Sequence, residues 1–391
     1  MDVVDKLDIL SRDAQYDLSC ACSTKNPAEH RKRDKDNAWL YPVTVANGGS
    51  GIMLKTLMTN SCSNDCLYCP LRNTADSPRT GIGSDELASF FIDLAAKRHL
   101  IGLFLSSGVM GTADRTMDKL TATAEILRKK YRYRGYIHIK IIPGCSKAAI
   151  DKTLSLASAV SLNIETPGAN RLARLTQSKN FDRDIIEPLK YISEQTAKGS
   201  RYAKIHKTSQ FIVGASDETD REILSYTWGM YRRLNFHRLY FSAYQGGLGD
   251  PAIPGERRHR IVGEPRMQHS QLFAFPEVPS NQDILMREHR LYQSDYLFRC
   301  YGFTFDDIDF DQSGNLLFDK DPKQLWADRH PEYYPVSLSK GSKEALLRVP
   351  GLGPIFVGRI IKGRSTSIIR TLEDVRLPSH LAMKAKSYIC A

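Results

Sequence analysis

The chain lacks the features of a membrane, secreted or disulfide-stapled protein. No apolar run approaches the ~20 residues needed to span a bilayer. The segment Met1 to Arg12 is amphipathic and acidic, without the basic and apolar regions of a signal peptide. Eight cysteines in 391 residues, unevenly spread, are too few for a disulfide framework. The first strand-like segment is not followed by the Gly-rich phosphate loop of a dinucleotide-binding, doubly wound sheet. The expectation is a soluble, cytoplasmic protein with no membrane partner, in which clustered cysteines point to metal or catalysis.

Hydrophobic residues make up 41% of the chain, enough for a sizeable core and against global disorder. From about Gly51, strand-like runs at 51–58, 101–105, 136–142, 159–165, 207–213 and 238–244 alternate with helical patterns. The first helix opens with capping residues at Ser84-Asp85-Glu86; the others run near 116–131, 146–157, 184–198 and 219–234. Six βα units in a row predict an α/β fold, a partial (β/α)6 TIM-like barrel, with a small all-α appendage. The domain boundaries expected are an N-terminal extension over 1–50, with Thr24–Asn37 charged and loose, and the barrel over 51–245. A loop-rich extension over 246–339 follows, with a Gly/Pro/Arg-rich loop at 246–282, a helix at 283–301 and an acidic linker at Thr304–Gln312. Residues 340–391 form the appendage.

Side chains alternate faces along a strand. Tyr136, His138 and Lys140 share one face against Ile137, Ile139 and Ile141. Ser161, Asn163 and Glu165 oppose Leu162 and Ile164, and Tyr240, Ser242 and Tyr244 oppose Leu239 and Phe241. A polar face repeated on successive strands implies a polar lumen, whose C-terminal mouth is where such folds build sites. His138 and Lys140 there fit either substrate contact or a satisfied core role.

Charge is unevenly placed. The net is +11, and residues 340–391 carry five Lys and five Arg against three acids, a net of +7 that leaves +4 for the rest. A basic tail on a near-neutral body points to a polyanion partner; a merely solvated basic face is the bland alternative.

The richest motif is Cys62-Ser63-Asn64-Asp65-Cys66-Leu67-Tyr68-Cys69, just past the first barrel strand. Asn60, Ser61, Asn64 and Asp65 are turn formers, so the thiols are offered on a loop. Three thiolates this close can hold one centre and leave a coordination position open, as reactive sites do. The readings are an iron–sulfur cluster, a zinc ion, or three inert thiols at i, i+4, i+7 on a helix. No fourth Cys or His follows at zinc spacing, and Pro70 with the polar fillers argues against the helix. Cys145, Cys300 and Cys390 carry no signal, and Cys20 and Cys22 read as ordinary thiols.

This C-x3-C-x-aromatic-C loop at the end of the first barrel strand resembles the radical S-adenosylmethionine superfamily, over about residues 50–245. The resemblance implies a [4Fe–4S] cluster held by Cys62, Cys66 and Cys69. The amino and carboxylate groups of S-adenosylmethionine would chelate the fourth iron, and an electron donor such as flavodoxin or ferredoxin would supply the electron. Reductive cleavage then gives a 5′-deoxyadenosyl radical, chemistry that belongs to the cofactor. Position by position, Ser106, Ser107 and Gly108 stand where the superfamily has a Gly-Gly-Glu type motif on the methionine amino group, here without the Glu. Asn163 and Glu165 match ribose-binding polar residues. Gln210 and Gly214 match a segment flanking adenine, Gly214 letting the base approach the backbone, and Tyr68 would pack near the adenine. No catalytic acid or thiol is singled out.

Arg348-Val349-Pro350-Gly351-Leu352-Gly353-Pro354 resembles the turn of a helix-hairpin-helix module. Converging backbone N–H groups at the second helix can grip a phosphate without reading bases. Arg348, Gly351, Gly353, Arg359, Lys362 and Arg364 are the expected nucleic-acid contacts, and 372–389 reads as a degenerate second copy. The helix pair serving protein contacts is the alternative. Across nearly the whole chain, Lys6–Leu10, Tyr16–Cys20, Phe104–Gly108, Gly135–Lys140 and Arg290–Tyr296 resemble a bacterial family of radical S-adenosylmethionine proteins assigned to DNA modification or repair. That family is often encoded near a uracil-DNA-glycosylase-like partner. The reading is a radical enzyme acting on nucleic acid, with DNA preferred over RNA. The alternatives are an RNA- or tRNA-modifying radical enzyme and a non-catalytic iron–sulfur nucleic-acid-binding protein.

Overall fold

A computed structural model of the chain describes residues 1–16, 39–44, 49–263, 281–365, 369 and 371–390. Cys20, Cys22 and the segment expected to be loose at 24–37 lie outside the described residues. The chain divides into two compact units, Met1–Glu218 with Gly229–Glu288, and Thr219–Trp228 with His289–Ala391.

The first unit is built on one seven-stranded sheet in the order β1 to β7. Helix α1 (Val3–Asp13), closed at its start by a reciprocal Asp2–Asp5 capping box, precedes β1 (Leu40–Thr44), which pairs antiparallel with β2 (Ser50–Leu57). The region 1–50 therefore adds a strand and a helix to the sheet unit, a contribution that alternation from Gly51 onward could not reveal. The remaining strands are parallel, each reached through a helical crossover: α2 (Ser84–Arg98), β3 (Gly102–Ser106), α3 (Ala113–Glu125), β4 (Tyr136–Lys140), α4 (Lys147–Leu156) and β5 (Ala159–Ser161). Then come α5 (Ala169–Ala173), α6 (Glu187–Gln195), β6 (His206–Val213), α7 (Asp220–Leu234) and β7 (Arg238–Ala243). Edge strands β1 and β7 each have one neighbour, so the six parallel strands form a partial TIM-like barrel.

The alternating faces are as the sequence predicts. Ile137, Ile139, Leu162, Ile164, Leu239 and Phe241 are all fully buried on the apolar side, while Ile141, just past β4, is buried against the cavity. The segment expected as a strand over 159–165 keeps ladder pairing only to Ser161, with an isolated bridge from Glu165 to Phe211. At that bridge Glu165 sits at φ 66, a left-handed conformation that ends the extended run. The expected loop at 246–282 contains α8 (Pro254–Gly263), where Pro at the first turn and the charged residues after it suit a helix start, and α9 (Asn281–Tyr296) follows.

In the second unit, α10 (Pro322–Arg329) and β8 (Val336–Ser337) precede α11 (Lys343–Arg348), α12 (Pro354–Gly363), α13 (Ser379–Ala385) and β9 (Ile389–Cys390), which pairs with β8. Leu346, Val349, Leu352, Val357, Ile360 and Ala385 belong to its core. The second hairpin helix stops at Ala385 rather than near Ile389, because the chain turns into the β8–β9 pair. The stretch expected as an acidic linker, Thr304–Gln312, is integral to this unit. Thr304 caps a short helical turn over Phe305–Asp307, and Asp307 is ion-paired with Arg348.

At Gly102, a Cβ would lie 2.5 Å from the Tyr136 carbonyl oxygen and 2.9 Å from the Tyr136 Cβ, so β3 and β4 meet only because this residue has no side chain. Gly102→Ala is expected to destabilise the first unit by about 1–3 kcal/mol, the usual range for overpacking, read as a lowered thermal midpoint by circular dichroism.

Candidate functional site

The cysteine loop has almost no regular structure and is fastened by polar contacts. Asn60 Nδ2 donates to Asp13 Oδ2 and to the Pro78 carbonyl, each at 2.7 Å. The Arg79 guanidinium donates to four carbonyls, those of Asn60, Leu71, Arg72 and Ala75. Arg72 reaches the carbonyls of Cys69, Leu248 and Gly249. Asp65 accepts from Thr176 Oγ1, from Ser178 Oγ and from the amides of Gln177 and Ser178. Burial would raise its pKa, but the hydrogen bonds from Ser178, Thr176 and the two amides hold it at about 2. The sequence marks Asp65 only as a turn former; its anchor is more than a hundred residues away in the chain, which no local pattern reveals.

Cys62, Cys66 and Cys69 all line one cavity at the C-terminal ends of the strands, of about 180 Å3. That is roughly ten times what one water needs, so the space suits a small molecule. Tyr68, Ser106, Ser107, Gly108, Asn163, Glu165 and Gln210 line it too. The Val109 amide donates to Cys62 Sγ and the Leu71 amide to Cys69 Sγ, both at 3.4 Å, the kind of contact that tunes a thiolate-bound metal. Among the described residues no three His, Cys, Asp or Glu side chains converge on a single ion. A cluster that offers each thiolate its own iron does not require such convergence. Burial, with Cys66 beside it, pushes the Cys69 thiol up to about 12, and a bound cationic centre reverses that bias.

Across the cavity wall, Lys179 Nζ donates to Glu165 Oε1 at 3.2 Å and to Tyr68 OH at 3.1 Å. Lys179 and Glu165 side chains are 9% and 7% exposed, so the pair is desolvated. Burial lowers an amine's pKa, yet Cys66 and Glu165 beside Lys179 raise it above the ordinary value. Asn163 Nδ2 donates to Glu165 Oε2 at 3.3 Å. A buried, non-glycine residue held at positive φ costs about 1–3 kcal/mol, and such strain gathers where a site dictates it. Lys179 is another site residue the sequence does not flag, since it lies in a loop with no periodic signal. Gln245, just past β7, also lines the cavity, and its Nε2 is buried with no hydrogen-bond partner among the described residues.

One expectation changes here, and one open alternative closes. Gly214 does not line the cavity; its open side is filled by Ile284, whose Cδ1 lies 2.5 Å from where a Cβ would sit. Its amide donates to Glu218 Oε1 at 2.5 Å, so its positive φ of 85° serves a turn and not an approach of adenine. His138 takes the core role, its Nε2 lying 2.9 Å from Ser161 Oγ, while Lys140 reaches the cavity.

In the second unit, α11 and α12 flank the turn Val349–Gly353. Gly351 has φ 85°, and a Cβ there would lie 2.5 Å from the Leu381 carbonyl, so the turn packs directly on α13. Gly353 is the N-cap of α12. Arg359 and Lys362 are exposed. Arg348 is not: it forms a two-pronged ion pair with Asp307 at 2.9 and 3.2 Å and lies over the rings of Trp326 and Phe303 at 4.2 and 4.4 Å. Arg364 donates to the carbonyls of Gly341 and Ser339. Both arginines, expected as nucleic-acid contacts, are engaged within the fold.

No protein-family model matches the chain, and no curated protein does. Solved structures similar to it include methylornithine synthase (PylB), at 13% identity and TM-score 0.42, covering 52% of this chain and 56% of that one. The FeFe-hydrogenase maturase HydG from Carboxydothermus hydrogenoformans matches at 13% identity and TM-score 0.44, covering 63% and 51%. The protein anSMEcpe with bound AdoMet matches at 14% identity and TM-score 0.39, covering 63% and 61%. The matched region spans about half the length of the first two. Likenesses of this size carry no inference about substrate or chemistry.

Asp65→Ala is expected to loosen the cysteine loop by about 1–2 kcal/mol, the worth of hydrogen bonds to a charged group discounted for partial exposure. Faster proteolytic nicking near residues 62–75 and lower iron content after reconstitution would report it; wild-type values for both would contradict the anchoring role. Arg348→Gln is expected to lower the thermal midpoint of the second unit, since it leaves Asp307 without its partner.

Proposed function

We propose that the protein is a radical S-adenosylmethionine enzyme acting on nucleic acid, DNA in preference to RNA. The observation that carries the reading is the arrival of Cys62, Cys66 and Cys69 in one cavity with Asn163, Glu165, Lys179 and Tyr68. The donor set fits a [4Fe–4S] cluster: three thiols from one loop, two of them facing backbone N–H donors, and no fourth protein ligand in that loop. What such a cluster with S-adenosylmethionine supplies is a one-electron reductive cleavage giving methionine and a 5′-deoxyadenosyl radical, with flavodoxin or ferredoxin as the class of donor.

The chain's own residues bind, orient and exclude water. Glu165 and Asn163 would accept and donate hydrogen bonds to the ribose hydroxyls. Lys179 donates to Glu165 and to Tyr68, which orients the carboxylate and holds the ring in place for an adenine to pack on. Gln245 Nε2, without a partner among the described residues, offers the cavity a hydrogen-bond donor.

The nucleic-acid part rests on the second unit: a Pro-Gly-Leu-Gly turn opening a helix, with exposed cations beside it and a local charge of +7. Its gripping groups are the amides near Gly351 and Gly353 with Arg359 and Lys362, while Arg348 and Arg364 support the fold. A duplex buries its bases, so a single-stranded, damaged or flipped nucleotide is the form a barrel cavity can accept. A uracil-DNA-glycosylase-like partner belongs to the same proposal.

Protein reconstituted anaerobically with iron and sulfide, then reduced with dithionite, should release 5′-deoxyadenosine from S-adenosylmethionine, and Cys62→Ala should abolish the release. Stimulation by single-stranded DNA over RNA supports the substrate class; stimulation by RNA alone moves the assignment to RNA modification. DNA affinity should fall steeply with salt, and Lys362→Gln should reduce the slope of log K against log salt by about 1 while Arg348→Gln leaves it unchanged.

A further inference from the structure

Helix α12 carries an outward stripe that its own fold does not explain. Ile355, Gly358, Arg359 and Lys362 are spaced i, i+3, i+4 and i+7, which places them on one face. All four are exposed, and Ile355 is 71% exposed, among the most exposed large apolar residues of the chain. Arg359 lies over the Phe356 ring at 5.1 Å, and neither Arg359 nor Lys362 has an acidic partner among the described residues. Opposite the stripe, Val357 and Ile360 are fully buried, so the orientation of the helix is fixed by its core.

Gly358 is the informative member. A glycine inside a helix weakens it relative to alanine, because the unfolded chain gains freedom. Elsewhere in the chain a glycine answers to a neighbour that leaves no room for a Cβ, as Gly102 does in β3 and Gly351 in the α11–α12 turn. At Gly358 a Cβ would meet nothing within 4 Å among the described residues. The helix therefore gives up stability here without any packing return from the described residues. A surface that is apolar at one end, cationic at the other and bare between them admits a close-lying polyanion with a partly apolar edge.

We propose that this stripe is where a nucleic-acid strand lies closest to the protein. The phosphates run past Arg359 and Lys362, the sugar edge rests on Ile355, and the strand contacts bare backbone at Gly358. The inference rests on the nucleic-acid reading of the hairpins and extends it from the turn to a face of the helix. Charge complementarity selects the occupant: Arg359 and Lys362 stand exposed on this face with no acidic partner among the described residues, and a phosphodiester chain offers anions to both and a less polar sugar edge to Ile355.

The test is fluorescence-anisotropy titration of full-length protein with a labelled DNA oligonucleotide, single- and double-stranded, at fixed salt. Gly358→Ala should raise the thermal midpoint, since its Cβ meets nothing, and still weaken binding. Gly358→Leu should keep the midpoint and weaken binding by about tenfold, the effect of overfilling a close contact. Ile355→Ser should weaken binding without changing the salt slope, because it removes no charge. If the wild type binds DNA and Gly358→Leu binds equally well with an intact fold, the stripe is not the contact face. If the wild type binds no DNA, the nucleic-acid reading falls, and the inference with it.

Discussion

A metal centre held by thiols on a loop depends on that loop being stationary, and regular secondary structure does not provide this here. The constraint is met by charged side chains that collect backbone groups. Arg79 gathers four carbonyls of the loop, and Asp65 fastens its middle to residues 176–178 through four donors. Each is a charged group bonding to several neutral partners, an arrangement stronger than the same number of neutral hydrogen bonds. Everything downstream, from the spacing of the sulfurs to the amides facing them, follows from that fastening.

The sheet supplies the second requirement, a polar cavity inside an otherwise apolar unit. Parallel strands with helices outside bury one face completely, which is why Ile137 and Ile139 of β4, Val160 of β5, Phe211 of β6 and Leu239 and Phe241 of β7 are inaccessible. The other face carries Lys140, Asn163, Gln210 and Ser242 into the cavity. Glu165 lies four residues beyond the end of β5, at a left-handed backbone position, with its carboxylate bonded to Lys179. The pairing of Glu165 with Lys179 keeps a buried charge from standing alone, which would cost several kcal/mol (on the order of 3–5).

What the sequence discloses follows from the range over which each signal acts. Strand alternation, the cysteine spacing and the Pro-Gly-Leu-Gly turn are local, and the parallel partial barrel, the three cavity-lining thiols and the α11–α12 hairpin are where they point. Long-range partners are invisible to such reading. Asp65, Arg79 and Lys179 act on groups brought near only by folding, and Arg348 looks like a phosphate ligand until Asp307 and Trp326 are seen around it. Gly214 fails for the same reason: a permissive backbone says that something fits closely, and here the occupant is Ile284. The N-terminal strand β1 leaves no such signal, because it precedes the βα rhythm and pairs antiparallel.

Under the proposed function the two units would divide the work, the first binding a reactive centre and the second a polymer by its backbone. The central claim is that three cysteines leave one iron open for S-adenosylmethionine, and electron paramagnetic resonance of the reduced, reconstituted protein tests it most directly. The account predicts a [4Fe–4S]+ signal whose g-values change when S-adenosylmethionine is added. A cluster signal unaltered by S-adenosylmethionine, or a protein that takes up zinc and no iron–sulfur centre, would contradict it.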